Sequence, residues 1–373
     1  MSQTTFNAPE ATLDPLQSEC PDKFHNVNVI SPSTIKSDHG SNIVLVNVPK
    51  EQFSNQKTSA KLISTRAIYQ SLQSQHPSFV LQLRKFFAEF LGTFLLVSIG
   101  IGSVASAVLT GSLKGLWQVA VVWGCGVTVS IYTVGHISGA HLNPAVSLVM
   151  AVFGHYTGFK WSSLVLYITA QLAGSIVAGA VQLALWSPFI TLFEQRNGIV
   201  RSADPGCMRS GMIFGSYFPN PDMFPLNAAD ASKGIVSSGL GLVSVPRALM
   251  TEALGTCILL LVIFALTDRR NKNKSIHEAL VPPTIGATVA VLISMLSPIT
   301  QAAFNPARDL GPRIIASLAG WELCAFGPSG SFWIYIVGPC LGALLGGVTY
   351  FGLLYQSDEE IAYATEQNTP LAE

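Results

Sequence analysis

Long apolar stretches separated by short polar connections dominate the chain beyond its first 82 residues. Each stretch is close to the roughly 20 residues that a helix needs to cross a bilayer. The pattern therefore predicts an all-α membrane protein with six transmembrane helices. The predicted spans cover 86–109, 117–135, 161–186, 247–267, 280–297 and 331–354.

Two further apolar stretches, 143–153 and 305–317, are too short to cross a bilayer. Each begins with Asn-Pro, and proline suits the first turn of a helix because its missing N–H has no intrahelical partner there. We expect two re-entrant half-helices that enter the membrane from opposite sides.

Two motifs recur at almost the same interval, which indicates an internal duplication. The five residues that start at Glu89 are similar to the five that start at Glu252, 163 positions later. The Asn-Pro-Ala at Asn143 returns at Asn305, after 162 positions. Each half holds three spans, and because three is odd, the second half is inverted relative to the first. Folds of this kind place their functional site where the halves meet near the bilayer midplane.

The chain ends differ in composition from the spans. Residues 1–80 contain 31 Ser, Thr, Asn or Gln residues and show no sustained periodicity, so they cannot bury enough apolar surface to offset the entropy of ordering. We expect a disordered cytoplasmic tail over 1–82, a membrane domain over 83–355 and a second cytoplasmic tail over 356–373. The membrane domain divides into repeat one at 86–187, a long extracellular loop at 187–246 and repeat two at 247–355.

Charge composition excludes several classes of protein. Charged residues make up 11% of the chain and hydrophobic residues 49%, whereas globular proteins average about 25% charged residues. Lys plus Arg and Asp plus Glu balance at 21 each, so no nucleic-acid partner is expected. The six cysteines lack metal-binding spacing. Because no metal cluster, cofactor motif or nucleophile–base pair is visible, we expect no metal, no cofactor and no enzyme activity.

Basic residues near the span ends predict the orientation. Arg84 and Lys85 precede the first span and Lys160 precedes the third. The first external loop has only Lys114. Since Lys and Arg concentrate in cytoplasmic loops, we expect a multi-pass membrane protein with both termini in the cytoplasm. We also expect the membrane to be the plasma membrane.

The tips of the half-helices carry the candidate chemistry. Inversion points both N-termini at the bilayer centre, and each carries about half a positive charge from unpaired N–H groups. Asn143 and Asn305 can cap these starts through their carbonyl oxygens and direct their NH2 groups into a pore. Such a midplane accepts the oxygen of water or of a hydroxyl, repels cations and interrupts a proton wire. The motif residues are Asn143, Pro144, Ala145, Asn305, Pro306 and Ala307.

Three charged residues within apolar stretches of the chain need an explanation. Arg308 follows the second motif, and a charge at membrane depth costs about 3 kcal/mol or more unless it faces water or a partner. We expect it at the narrowest point, as an oriented donor and a cation barrier; an arginine that reaches out to the surface is the alternative. Glu89 and Glu252 are expected to accept hydrogen bonds from the re-entrant loops rather than to relay protons.

These features resemble the aquaporins, or major intrinsic proteins. The runs Ser138 to Val146 and Asn305 to Asp309 carry the resemblance, which extends over about 86–355. It implies a homotetramer in the lipid membrane with one pore per subunit and passive flow down a gradient. It also implies that 83–355 is a channel domain.

Within that family the chain looks like the aquaglyceroporin branch. Asp309 after the arginine and Arg313 four residues later are typical of the branch, and Trp123 lies where glycerol channels have a tryptophan. The resemblance implies a selectivity constriction of four residues, two of which are Trp123 and Arg308. By the same offsets, the other two are Ile293 and Ala302. The second aromatic that glycerol channels usually have is missing at Ala302, which should widen the pore.

We therefore predict a passive channel for glycerol, water and other small uncharged solutes that excludes protons and ions. A water- or hydrogen peroxide-preferring channel of the same family is the first alternative, and urea is a further candidate solute. An inverted-repeat secondary transporter is a more distant alternative, and a scaffold with little permeability is a third. The pairing of Cys207 with Cys324 is topologically possible and is left open.

Overall fold

The computed structural model describes residues 77–202, 206–224, 242–268, 277–357 and 360. Nearly all of the predicted N-terminal tail and most of the predicted C-terminal tail lie outside these residues. The regular secondary structure of the described part is all helical, with no strand.

Six helices in the described part are long and apolar enough to cross a membrane, which confirms the predicted spans and fold class. Two shorter helices start at the two Asn-Pro motifs, where the half-helices were expected. The helices are α1 Pro77–Ala105, α2 Leu116–Ser138, α3 Pro144–Val152, α4 Gly154–Thr157, α5 Trp161–Asn197, α6 Cys207–Gly211, α7 Val245–Thr267, α8 Val281–Thr300, α9 Pro306–Ala316 and α10 Ile334–Thr349.

Two boundaries differ from the predicted ones. Helix α1 begins at Pro77, inside the segment assigned to the tail, with proline in the first turn. Helix α5 runs to Asn197 and so occupies the start of the predicted loop 187–246. Near its end, Glu194 pairs with Arg201 at 2.9 Å. The apolar residues Phe189, Ile190, Leu192 and Phe193 continue the helix beyond the predicted end, with Pro188 inside it.

Equivalent helices of the two repeats pack in the same way. Helix α1 lies against α5, and its counterpart α7 lies against α10. Both contacts require glycine: a β-carbon on Gly174 would lie 2.2 Å from the carbonyl oxygen of Phe90, and one on Gly342 would lie 2.1 Å from that of Ala253. The backbones therefore approach as closely as small residues allow in membrane helices. Helices α2 and α8 pack against each other across the repeats.

The first of the six long helices begins on the same side of the molecule on which the last one ends. We call this side the terminal face and the other the loop face. Near the terminal face, the hydroxyl of Tyr350 at the end of α10 donates to the carboxylate of Asp268 at the end of α7, at 2.7 Å. Helices α3 and α9 enter from opposite faces and bring their N-termini together between the long helices.

Candidate functional site

The two half-helix tips are joined by a reciprocal pair of hydrogen bonds. Asn143 Nδ2 donates to the carbonyl oxygen of Phe304 at 2.8 Å, and Asn305 Nδ2 donates to that of Leu142 at 2.7 Å. Both asparagines are buried, and both line the same cavity. The two motifs therefore meet where the repeats meet.

Each asparagine also caps its own helix. Asn143 Oδ1 accepts from the backbone N–H of Ala145 at 2.9 Å. Asn305 Oδ1 accepts from Ala307 at 3.0 Å and from Arg308 at 3.2 Å. Pro144 and Pro306, which lack an N–H, stand at the first helical position. The carbonyl oxygens thus lie where the sequence suggested. The amides differ from the expectation, because each gives one N–H to the other repeat and has only its second N–H for the cavity.

The loops before these helices hold non-glycine residues in the left-handed region. Ala140 and Leu142 have φ values of 50° and 53°, and the equivalent Ala302 and Phe304 both have 54°. Such conformations cost about 1–2 kcal/mol per residue, so surrounding contacts have to impose them.

Two buried carboxylates supply those contacts. Glu89 accepts from the N–H groups of His141 at 2.9 Å and Leu142 at 2.8 Å. Glu252 accepts from those of Ala303 at 3.1 Å and Phe304 at 2.8 Å. Both carboxylates are fully buried, and neither lines the cavity. This placement fits a static role that satisfies the backbone of non-helical loops.

One cavity of about 1220 Å³ connects these groups. It extends from aromatic side chains at the terminal face, among them Tyr156 and Tyr355, to Trp123 and Arg308. The four positions expected at the constriction all line it, together with both asparagines; they are Trp123, Ile293, Ala302 and Arg308.

Arg308 lies against Trp123. The guanidinium carbon is 4.5 Å from the centre of the indole ring, which is a cation–π arrangement. One guanidinium nitrogen donates to Ser216 Oγ at 2.7 Å and lies 3.7 Å from a carboxylate oxygen of Asp309. The indole itself is seated on Gly100, where a β-carbon would lie 2.2 Å from the ring. A positive charge and an apolar ring face thus form one end of the cavity.

The loop 301–304 adds no second aromatic ring to this end of the cavity. Phe304, two residues beyond Ala302, packs its ring on Gly255, where a β-carbon would lie 2.1 Å away. The ring of Phe304 is therefore part of the wall near the half-helix tips.

The branch residues Asp309 and Arg313 form a buried ion pair at 2.6 Å and do not line the cavity. Asp309 also accepts from the N–H of Ser216 at 2.7 Å. Arg313 donates to the carbonyl oxygens of Ser216 and Ala325. Its guanidinium carbon lies 5.2 Å from the ring centre of Tyr335. The pair fixes the segments of the loop face onto α9.

Sequence reasoning did not predict that the segment 206–224 contributes to the site. Ser216 contacts Arg308 directly, and Gln301 holds the N–H of Tyr217 at 2.7 Å. A disulfide joins Cys207 to Cys324, the pairing that the sequence left open. The two cysteines were the only signal that this segment folds back onto the site. Within the described residues there is no cluster of side chains suited to a metal ion.

Comparisons with known proteins agree with this geometry. The family model for major intrinsic proteins matches residues 74–350. A glycerol uptake facilitator protein of Pseudomonas aeruginosa is 39% identical over 266 residues, which cover 70% of this chain and 86% of that protein. Aquaglyceroporin-2 of Rhizophagus irregularis is 37% identical over 277 residues, covering 73% and 78%. The X-ray structure of the aquaglyceroporin from Plasmodium falciparum matches with a TM-score of 0.58 and 27% identity, covering 73% of this chain and 97% of that one.

Proposed function

Because the chain belongs to the major intrinsic protein family, we propose that its cavity is a passive channel for glycerol, water and other small uncharged solutes. The observation that carries the proposal is the reciprocal pair of hydrogen bonds between Asn143 and Asn305 and the facing loops, which brings two helix N-termini together on one cavity. Membership of a channel family also supports a transport protein rather than an enzyme.

Trp123 and Arg308 suit the two sides of a polyol. The indole face can pack against the carbon chain of glycerol, while the guanidinium donates to its hydroxyl groups. Among the described residues, Ser216 and Asp309 both approach the same terminal nitrogen of Arg308. The other guanidinium N–H groups are then available to a solute in the cavity that Arg308 lines. Two named relatives, a glycerol uptake facilitator and an aquaglyceroporin, support glycerol as a solute.

Ion exclusion follows from the same groups. Each half-helix start carries about half a positive charge, and Arg308 adds a full one in the cavity wall. A cation is repelled at both places. A proton wire needs central waters that both donate and accept along the file, and the free amide N–H of Asn143 and that of Asn305 force the central water to accept from both.

We propose the finer assignments on the same basis. The domain from 83 to 355 is the channel, it assembles as a homotetramer in the lipid bilayer, and it resides in the plasma membrane with both termini in the cytoplasm. Apolar side chains that face outward from the long helices, such as Phe87, Val165 and Met250, support contact with lipid or with a second subunit. Chemical cross-linking in the membrane tests the tetramer, and protease access to the tails in sealed vesicles tests the orientation.

Stopped-flow measurements in proteoliposomes test the function. The full chain is compared with protein-free liposomes for water, glycerol, urea and hydrogen peroxide. We expect glycerol entry that rises linearly with its gradient and does not respond to an imposed Na⁺ or H⁺ gradient. Saturable flux driven by an ion gradient would instead identify a secondary transporter. Fast water or peroxide flux without glycerol flux would identify the alternative solute preference, and no flux at all would identify a scaffold.

A further inference from the structure

A short connecting segment on the loop face is buried although it belongs to neither repeat. We call residues 206–218 the strap. It contains α6 and then a run of non-helical residues, and Met212, Phe214 and Ser216 in that run are nearly inaccessible. Connecting segments normally lie on the surface because their backbone groups need water, so a buried one has to find its hydrogen bonds within the protein.

The strap is tied at both ends to the segment that follows α9. At its start, Cys207 forms the disulfide with Cys324. At its end, the hydroxyl of Tyr217 donates to the carbonyl oxygen of Cys324 at 3.1 Å. Between these points, Trp321 Nε1 donates to Ser210 Oγ at 3.1 Å. One covalent bond and two hydrogen bonds therefore fix the position of the strap.

Ser216 connects the strap to α9 through all three of its polar atoms. Its N–H donates to Asp309 at 2.7 Å, its carbonyl oxygen accepts from Arg313, and its hydroxyl oxygen accepts from Arg308 at 2.7 Å. The first two contacts hold the Ser216 backbone in place. The third contact links the fixed Ser216 to the guanidinium of Arg308, which lies over Trp123.

We propose that the disulfide-tied strap sets the selectivity of the channel, with Ser216 as a positioning residue for Arg308. The inference rests on the proposed function. An arginine side chain has several rotatable bonds, and the Asp309 carboxylate at 3.7 Å is too distant for a hydrogen bond to fix it alone. The hydroxyl of Ser216 holds the guanidinium against Trp123. Glycerol uses the oriented donors of Arg308, whereas a water molecule needs only an open passage, so loss of the strap lowers glycerol flux more than water flux.

The test compares two variants of the full chain in proteoliposomes. Ser216→Ala removes the hydroxyl acceptor, and we expect the glycerol-to-water permeability ratio to fall about three- to ten-fold, the range for the net contribution of one typical hydrogen bond. Ser216→Thr keeps a hydroxyl and should retain most of the ratio. The ratio is the decisive measurement because a variant that merely folds less well loses both fluxes in proportion.

The disulfide provides a second, independent arm. Cys207→Ser, Cys324→Ser and the double variant should lower the ratio equally, because either change breaks the same bond. Ser216→Ala added to Cys207→Ser should lower it by less than the two separate effects together, since both act on the same guanidinium. Cys125→Ser, which changes an exposed free thiol, is the matched control and should leave the ratio unchanged.

Reduction after folding bypasses any failure of a variant to fold. A water-soluble phosphine converts the disulfide to two thiols and takes up oxygen from water, and treated wild-type vesicles should show the same lowered ratio. If the ratio were unchanged both in Ser216→Ala and in reduced wild-type vesicles while glycerol flux stayed intact, this inference would be wrong and the proposed function would stand. Wild-type vesicles that conduct no glycerol would instead refute the proposed function.

Discussion

Replacing Gly100 with alanine should push Trp123 into the pore without changing any residue that lines it. The position of Gly100 on α1 lies directly behind the indole ring. A β-carbon there would lie 2.2 Å from one ring atom and 2.3 Å from two others. Since no carbon pair tolerates such a separation, the ring has to move.

The required movement can be worked from the structure. Raising the 2.2 Å separation to the 3.4 Å of ordinary contact needs a displacement of about 1.2 Å. The ring is blocked on one side by α1, and it lines the cavity together with Arg308, whose guanidinium carbon lies 4.5 Å from its centre. The open direction is therefore toward the cavity. Overpacking of this kind costs about 1–3 kcal/mol. We expect the barrier for glycerol to rise by about 1.4 kcal/mol, which is a ten-fold loss of flux.

The assay is the glycerol-to-water permeability ratio in proteoliposomes. Water, being smaller, should lose about two-fold at most, so the glycerol-to-water ratio should fall by about five-fold or more. Gly102→Ala is a matched control on the same helix, because its β-carbon would meet only Gln182 Oε1, at 3.6 Å. It should retain the wild-type ratio.

A wild-type ratio in Gly100→Ala protein that inserts normally would refute this reasoning. It would mean that the indole escapes by rotating within the wall, and that Trp123 does not limit the passage. An equal fall in Gly102→Ala would also contradict it, because the effect would then come from α1 in general.

Three further changes probe the same site. Trp123→Ala removes the apolar face and opens the gap beside Arg308, so the glycerol-to-water ratio should fall while absolute water flux rises about two-fold or more. An unchanged ratio would show that the pore assignment is wrong. Arg308→Ala removes the full charge from the wall and should allow cation leakage, measured as dissipation of a K⁺ gradient that wild-type vesicles maintain. Glu252→Gln replaces an acceptor of two backbone N–H groups by a side chain with one oxygen, so the free energy of unfolding should fall by about 2–3 kcal/mol. The glycerol-to-water ratio of the channels that remain folded should be unchanged, and a changed ratio would show that Glu252 acts in permeation.

The sequence was sufficient for the features that the bilayer imposes. Six helices and two shorter ones follow from apolar length, because a spanning segment has to satisfy its backbone internally. The equivalence of Asn143 and Asn305, and of Glu89 and Glu252, follows from duplication, since residues at one offset occupy matching places in both halves. The structure places each pair accordingly.

Features that depend on contacts between distant segments could not be predicted. The hydrogen bonds from Asn143 to Phe304 and from Asn305 to Leu142 join different repeats. Ser216 has no motif around it, because its role comes from the folding of the strap onto α9. The end of α5 at Asn197 lies beyond Pro188, a residue that usually ends a helix, and its pair of Glu194 with Arg201 leaves no mark in the hydropathy.

The exchange of hydrogen bonds between the two half-helix tips has a consequence for biosynthesis. A ribosome synthesises the first half of the chain before the second exists. At that time the carbonyl oxygen of Leu142 lacks the hydrogen bond that Asn305 later donates to it. The early intermediate therefore holds an unfinished loop whose partner is still to be translated. Completion of that loop has to wait for the second repeat, and a chain truncated before Asn305 should be recognised by quality-control proteases rather than accumulate as a half-channel.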